Sequence, residues 1–339
     1  IEVIPVVHNV DSKVFSLSHC TANVVVLGVL RMKLDSNADW MHDLSSGRRS
    51  LETKQSLEAA TTMAEARGSP DSVQHMSFEI RELTEEMTDA FRQAISSGFG
   101  HDADLSDEDG RERFNKVFDR KRMYPVFAGD KIVGTGGDFE FLITVPGGAQ
   151  VPMSGLTIIT VQPTHNRRGI LTAMMRKHID DARDRGEPLG GLWASEVPIY
   201  GRFGYGQAAQ MRGVKFDARS TGRWHAEPGV TVRLAEPDEA ERIIPPLYDN
   251  EQSRRPGMYQ RSEDWWKYRL FFDPEKHREG ASAQRYAIAE VDGEAVGYML
   301  YRQKSDWSQL PEGEMRVREV IASTDAAYRA LWQYTSDVD

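Results

Sequence analysis

From residue 78 onward, the apolar positions repeat with the two periods that distinguish strands from helices. The segment FEIREL at 78–83 alternates between apolar and polar residues, which predicts a short strand. It runs into a set of apolar residues at helical spacing, namely Leu83, Met87, Phe91, Ala94 and Ile95. Gly98 and Gly100 then predict the end of that helix.

A series of antiparallel strands is predicted next. YPVFA and KIVGTGGDFEFLITV flank Gly129-Asp130 and predict a hairpin, and a Pro-Gly-Gly turn precedes the strand AQVPMSGLTIITV. The following helix has one apolar face, made of Leu171, Met174, Met175, His178, Ile179 and Ala182. A short apolar strand, LGGLWAS, comes after it. This order predicts an α+β fold, in which helices pack on a mostly antiparallel sheet.

The second half of the chain repeats this plan. TVRLAEPDEAERI, YAIAEVDGEAVGYML and MRVREVIASTDAAYRALWQY echo the first strand and helix, the hairpin, and the last strand with its helix. Aligning Val320 with Val161 places Tyr328 at the position of Gly169. We therefore expect a second copy that keeps the scaffold without the glycine, and that is incomplete because no strand follows its helix.

The repeat sets the expected domain boundaries. We expect one domain over residues 76–218 and a second over 219–339. Residues 1–75 are Ser-rich with weak periodicity, which predicts a disordered extension or translated upstream sequence, and a small independent element is the alternative.

Length and composition limit the class of protein. At 339 residues, 40% of them hydrophobic, the chain is long enough for about two domains. The net charge of −10 argues against nucleic-acid or anionic-membrane binding. It suits a cationic small molecule or a basic peptide, although acidic solubility explains it as well. The only cysteine, Cys20, excludes an intramolecular disulfide and a cysteine-rich metal site, and the apolar run 24–30 is too short to span a membrane, so we expect a cytoplasmic protein.

The stretch VQPTHNRRGI at 161–170 places two arginines and a glycine where a strand turns into a helix. A helix N-terminus has unpaired N–H groups and a partial positive charge, so it binds anions. Gly169 lets an anion approach the backbone, and Arg167 and Arg168 add charged donors for phosphate. The Rossmann and Walker fingerprints are absent, which disfavours NAD and ATP. The corner predicts a pyrophosphate site, with a solvated helix cap as the alternative.

The run NRRGIL resembles the acyl-CoA pyrophosphate loop of the GNAT acetyltransferase superfamily, with Asn166 and Leu171 departing from its usual pattern. The segments VQPTHNRRGILTAMM and LWASEVPIYGRFGYGQA are more closely similar to the Eis-type (enhanced intracellular survival) N-acetyltransferases, and the likeness extends from Met76 to Asp339. The resemblance implies a GNAT fold, a second degenerate GNAT-like domain, and acetyl-CoA as the acetyl donor. It also implies a third, sterol-carrier-like domain, which is absent from this sequence.

The resemblance implies cofactor contacts residue by residue. The backbone that would pair with the pantetheine amides is that of Ile159, Thr160 and Val161. The residues that would hold the pyrophosphate are Arg167, Arg168, Gly169, Ile170, Leu171 and Thr172. A second cofactor contact is implied at Ser195 and Glu196.

Tyr200, in PIYGRFGYG, matches the family's general acid. A phenol, with a pKa of about 10, is suited to protonating the CoA thiolate that leaves when an amine attacks the thioester. Aromatic packing is the alternative for Tyr200, and we expect Tyr205 to be a packing residue.

The implied function is acetyl transfer from acetyl-CoA to an amine of a cationic acceptor such as an aminoglycoside, which would confer antibiotic resistance. A protein lysine is the alternative acceptor. The family's general base is the C-terminal carboxylate of the third domain, so a non-catalytic acyl-CoA-binding fragment is a second hypothesis. A nucleic-acid-binding module is disfavoured by the net charge. The resemblance also implies a homo-oligomer, a hexamer, and no metal.

Three further features have structural explanations beside functional ones. The acidic stretch 101–114 either attracts a cationic acceptor or is a solvated loop. His178 lies on an apolar helix face, which is more typical of a core residue than of a metal ligand. Trp265 and Trp266 are expected to pack between the two copies.

Overall fold

The computed structural model describes most of the chain from Phe78 onward. The described ranges are 78–194, 197–209, 213–216, 227–306 and 313–338. The predicted extension over 1–75 lies outside the described residues, and so do Ser195 and Glu196.

Five strands form the first sheet, and they lie side by side in sequence order. They are β1 (Glu79–Ile80), β2 (Met123–Ala128), β3 (Lys131–Thr144), β4 (Gln150–Val161) and β5 (Leu189–Leu192). Neighbours from β1 to β4 are antiparallel, whereas β5 pairs parallel to β4. The strand predicted at 78–83 is shorter than expected, because only its second and third residues pair with β2.

The helices of this half cover the sheet on both faces. They are α1 (Thr88–Gly98), α2 (Glu108–Val117), α3 (Ile170–Asp184) and the single turn α4 (Val197–Tyr200). Met123 of β2 packs with α1 and α2, while its neighbour Tyr124 packs with α3. Successive strand residues point to opposite faces, so α3 lies on the face opposite α1 and α2.

The second sheet has four antiparallel strands, again in sequence order. They are β6 (Thr231–Ala235), β7 (Arg285–Val291), β8 (Glu294–Lys304) and β9 (Glu314–Ala322). The helices packed with them are α5 (Pro237–Gln252), α6 (Glu263–Trp265), which continues as a π-helical segment to Phe271, and α7 (Asp325–Asp337). Single 3₁₀ turns lie at Arg120–Arg122, Pro163–His165, Gly201–Phe203 and Glu275–His277.

The register of the two sheets corrects the expected alignment of the copies. Gly134 of β3 lies opposite Val161, and Gly297 of β8, which occupies the same place in its hairpin, lies opposite Ala322. The counterpart of Val161 is therefore Ala322 and not Val320.

The corrected alignment changes what the second copy lacks. Residues 162–169 separate β4 from α3, whereas only Ser323 and Thr324 separate β9 from α7. Tyr328 lies inside α7, so its predicted equivalence with Gly169 is wrong. The second copy has lost the whole loop rather than only its glycine and arginines.

Aromatic residues join the two halves. Trp265 meets the rings of Phe139 and Phe141 edge-on, with centroid distances of 5.0 Å and 5.2 Å, which confirms its predicted position between the copies. Trp266 instead packs against Tyr248 within the second half. The backbone contributes as well, since the N–H of Gln260 donates to the carbonyl of Leu142 at 2.8 Å.

Candidate active site

Strands β4 and β5 run together for only part of their length. Their pairing extends from Met153 with Leu189 to Leu156 with Leu192. β5 ends there, whereas β4 continues to Val161. Within the described residues, the end of β4 after Leu156 therefore has no strand partner on its β5 side. The backbone N–H and C=O groups on that side can pair with an extended ligand.

A bulge bends β4 at the point where it leaves β5. The register with β3 shifts there, and Ile158 has φ of 48°. Such a φ is an outlier for a β-branched residue, and it persists only where its surroundings enforce it. The Thr135 hydroxyl does so by donating to the Ile158 carbonyl at 2.7 Å, and it lies 2.8 Å from the Thr160 hydroxyl. The bulge thus redirects the backbone of Ile159 and Thr160.

Helix α1 ends against this part of β4. A Cβ at Gly98 would lie 2.5 Å from the Thr160 Cβ, so only glycine permits the observed approach. The absence of a side chain at Gly98 keeps the end of α1 close to the bulge.

The corner between β4 and α3 has the geometry of an anion site. Gly169 has φ of 85° and open space where a Cβ would be, and Arg167 has φ of 61°. Helical bonding begins with the N–H of Ala173 donating to the Gly169 carbonyl. The N–H groups of Ile170, Leu171 and Thr172 precede that bond, so they can bind an anion. We call residues 167–172 the corner loop.

Tyr200 closes the other side of this region. It ends α4, is buried, and shares an apolar cluster with Leu156 and Met175. Ile159 and Leu171 pack on the same cluster. The structure therefore brings together one predicted residue from the strand edge, one from the corner loop and the predicted acid. Ser195 and Glu196, predicted as the second cofactor contact, lie outside the described residues.

A buried polar network, which the sequence pattern did not predict, lies behind the site. Asp138 of β3 accepts hydrogen bonds from Arg122 at 2.8 Å and from Arg185 at 2.9 Å. His178 Nδ1 lies 3.4 Å from the Asp138 carboxylate, and His178 Nε2 lies 2.8 Å from the Tyr205 hydroxyl. His178 is a core residue, as expected, but Tyr205 does more than pack.

The charges of this network determine the protonation state of Asp138. Burial by itself raises the pKa of Asp138, but the hydrogen bond to His178 and the charges of Arg122 and Arg185 outweigh burial and hold that pKa below its ordinary value. The network therefore contains an ionised carboxylate beneath the sheet at neutral pH.

Part of the acidic stretch 101–114 is occupied by structural contacts. Asp107 caps α2 by accepting from the Gly110 N–H at 2.8 Å, and it pairs with Lys276 of the second half. Asp104 accepts from the backbone and hydroxyl of Ser106. These two carboxylates are therefore explained by the fold without an acceptor.

Two kinds of feature are absent from the described part of the chain. No helix there is both long and apolar enough to cross a membrane. No group of three or more histidine, cysteine, aspartate or glutamate residues is placed there to hold a metal ion.

Two segments match family models, each described as an acetyltransferase (GNAT) domain, over residues 79–208 and 257–339. An uncharacterized N-acetyltransferase of Streptomyces avermitilis is 40% identical over 268 residues, which are 78% of this chain and 64% of the relative. The N-acetyltransferase Eis of Mycobacterium tuberculosis is 34% identical over 217 residues, which are 62% of this chain and 51% of the relative. The chain thus spans less than two thirds of the length of these relatives.

Solved structures agree with these matches. A GCN5-related N-acetyltransferase from Anabaena variabilis aligns with a TM-score of 0.62 at 15% identity, covering 77% of this chain and 63% of that chain, which shows the fold alone. Eis1 from Mycobacterium abscessus aligns with a TM-score of 0.55 at 25% identity, covering 78% of this chain and 63% of that chain. The predicted GNAT fold and the presence of a second GNAT-like domain are confirmed. GNAT acetyltransferases use acetyl-CoA as the acetyl donor, and this chain belongs to the GNAT-type N-acetyltransferases.

Proposed function

We propose that this chain binds acetyl-CoA along the edge of β4 and transfers its acetyl group to an amine. One observation carries the proposal: the bulged end of β4, which has no described strand partner on its β5 side, is followed across residues 162–169 by the open N-terminus of α3. An extended pantetheine arm fits the strand edge, and a pyrophosphate fits the N–H groups and arginines of the corner loop.

Tyr200 is the proposed general acid. The amine nitrogen attacks the thioester carbonyl, the carbon–sulfur bond breaks, and the departing thiolate takes the phenolic proton. Its support is the apolar cluster that Tyr200 shares with Ile159 and Leu171, which places it beside the proposed acyl-CoA path. No described residue is assigned as the base that takes the proton of the amine.

The proposed acceptor is a cationic amine, for which an aminoglycoside is the first candidate and a protein lysine the second. Its support is the net charge of −10 and the similarity to proteins named Eis.

The proposed assembly is a homo-oligomer, hexameric by the same similarity. Acetyl-CoA binding without turnover is the second candidate function, because the described residues offer a site for the cofactor and no base placed to take the proton of the amine.

The proposal is tested by two measurements on the same variants. Calorimetric titration gives the Kd of acetyl-CoA, and thiol release gives turnover with a panel of aminoglycosides and a lysine peptide. Arg168→Ala should weaken acetyl-CoA binding by about tenfold, the value of one charged hydrogen bond. Arg183→Ala, a change of the same residue type at the far end of α3, is the matched control.

The acid is tested separately from the cofactor site. Tyr200→Phe should lower kcat by about 10²-fold with an unchanged Kd for acetyl-CoA. Tyr328→Phe makes the same chemical change in α7 and should leave both values unaltered. Full kcat in Tyr200→Phe would remove the acid assignment, and binding without thiol release in the parent would favour the second candidate function.

A further inference from the structure

Three buried polar residues form a chain that ends next to Tyr200. Asp138, on β3, is 1% exposed, His178, on α3, is 0% exposed, and Tyr205 is 5% exposed. The chain consists of two contacts, from the carboxylate to Nδ1 of the imidazole and from Nε2 to the phenolic hydroxyl. It therefore connects the central sheet, the helix that begins at the corner loop, and the segment that follows Tyr200.

The chemistry of the chain sets the direction of its hydrogen bonds. A carboxylate only accepts, so Nδ1 of His178 carries the proton that it shares with Asp138. In the neutral tautomer with the proton on Nδ1, Nε2 is the acceptor of the hydrogen bond that the Tyr205 hydroxyl donates. Burial raises the pKa of Tyr205 above its ordinary value, and the Asp138 charge raises it further, so this hydroxyl keeps its proton at neutral pH.

Tyr205 is also joined to Tyr200 itself. Its backbone N–H donates to the Tyr200 carbonyl at 3.3 Å, and the two rings meet edge-on with centroids 6.1 Å apart. Its hydroxyl lies close to β5, because a Cβ at Gly190 would come within 2.9 Å of it. One end of Tyr205 is thus bonded to the turn that carries the proposed acid, and the other end to α3.

Apolar side chains of similar volume could fill this space without removing polar groups from water. Apolar contacts have no preferred direction, whereas a hydrogen bond defines a distance and an angle. The polar pair of His178 and Tyr205 therefore supplies orientation that packing alone would not.

We propose that Tyr205 is a positioning residue, which holds the Tyr200 turn at a fixed place on α3 through its hydrogen bond to the His178–Asp138 pair. This inference rests on the proposed role of Tyr200. Its consequence is that the acid and the corner loop keep a constant separation, because both are attached to the same helix.

The test begins with Tyr205→Phe, which keeps the ring and its contact with Tyr200 and removes only the hydroxyl. We expect kcat for thiol release to fall by about tenfold while the KM for acetyl-CoA changes by less than about twofold. Hydrogen–deuterium exchange of the peptide covering 197–209 should become faster, because the turn loses its bond to α3. Tyr328→Phe is the matched control for both measurements.

Tyr205→Phe could also act by leaving the buried His178 imidazole without its partner. A double variant distinguishes this effect from the loss of orientation of the Tyr200 turn. His178→Leu combined with Tyr205→Phe removes both polar partners of that hydrogen bond, so no imidazole nitrogen is left unpaired, and Asp138 keeps its ion pairs with Arg122 and Arg185. The proposal expects the double variant to keep the loss of kcat and the faster exchange. Recovery of the parent kcat and exchange in the double variant would overturn the proposal.

The two proposals fail in different ways. Absence of thiol release in the parent counts against the proposed acetyl transfer, and the exchange measurement then decides the positioning role alone. Unchanged exchange over 197–209 in Tyr205→Phe would overturn the positioning role, whatever the parent's activity.

Discussion

At the residue scale, Gly98 and Gly169 are both required near the site, but for opposite reasons. Gly169 has open space around its missing Cβ and a positive φ that other residues adopt only with strain. Gly98 has no positive φ, and its constraint is the Thr160 side chain against which α1 ends. Gly169 therefore determines the path of the chain, whereas Gly98 determines how closely two elements approach.

Gly98→Ala tests the close approach. The added methyl would lie within 2.5 Å of a β-branched side chain that has little freedom to move away. We expect the free energy of unfolding to fall by about 2 kcal/mol, as for other overpacked contacts. Urea denaturation measures it, with Gly206→Ala, which points into open space, as the control. Equal stabilities of the two variants would show that α1 can shift without cost.

Asp138 predicts a pH dependence of stability. Its folded pKa is depressed, so its ion pairs contribute fully above the unfolded pKa of about 3.9, and this contribution is lost as the pH falls through the folded pKa. Asp138→Asn should cost about 2 kcal/mol at pH 7, since it removes one of the two buried carboxylates that pair with Arg122 and Arg185, the other being Glu187. Its unfolding free energy should also fall less steeply than that of the parent below about pH 4, measured by urea denaturation at several pH values. An equally steep fall of the unfolding free energy below pH 4 in the variant and the parent would contradict this expectation.

The sequence predicted some of these residues better than others. His178 was predicted as a core residue because its position on the apolar face of α3 follows the helical period. Its bonds to Asp138 and Tyr205 join positions far apart in the sequence, and periodicity contains no information about such pairs. A histidine on an otherwise apolar face was the only available signal.

At the element scale, the bulge in β4 is stabilised by one hydroxyl. Thr135→Val keeps the shape of that side chain but removes its donor to the Ile158 carbonyl. We expect a loss of about 1–3 kcal/mol of stability and weaker acetyl-CoA binding, because a buried carbonyl loses its partner and the strained φ loses its support. Thr231→Val, on the exposed start of β6, is the control for both urea denaturation and calorimetric titration. Parent-like acetyl-CoA affinity in Thr135→Val would show that the bulge holds its shape without this bond.

Elements were more predictable than their register. Alternating and helical patterns predicted the hairpins, α3 and the repeat of the fold in the second half. They did not predict that Ala322 corresponds to Val161, because strands of similar composition can be aligned two residues apart with the same faces buried. Only the hydrogen-bond register showed that the second half lacks the entire loop before its helix.

At the scale of the whole molecule, the two halves share a continuous aromatic contact. Trp265 touches Phe139 and Phe141 of β3 as well as Tyr259. Trp265→Ala should reduce the free energy of unfolding by about 3–5 kcal/mol, because a large buried ring is removed between packed neighbours. Calorimetry should show two unfolding transitions in place of the single one expected for the parent. Trp193→Ala, at an exposed ring, should change stability little. A single transition in Trp265→Ala would mean that the remaining contacts, such as that between Phe141 and Tyr259, couple the halves without Trp265.

Strand β3 connects the candidate site with the contact between the two halves. Thr135 near its start supports the bulge, Asp138 in its middle carries the buried charge, and Thr144 at its end donates to the Met258 carbonyl of the second half. A genetic selection for loss of acetyl-CoA binding should therefore recover substitutions around 257–260, at a distance from any proposed ligand contact. The second half, which has no corner loop, would then be needed for the first half to bind acetyl-CoA.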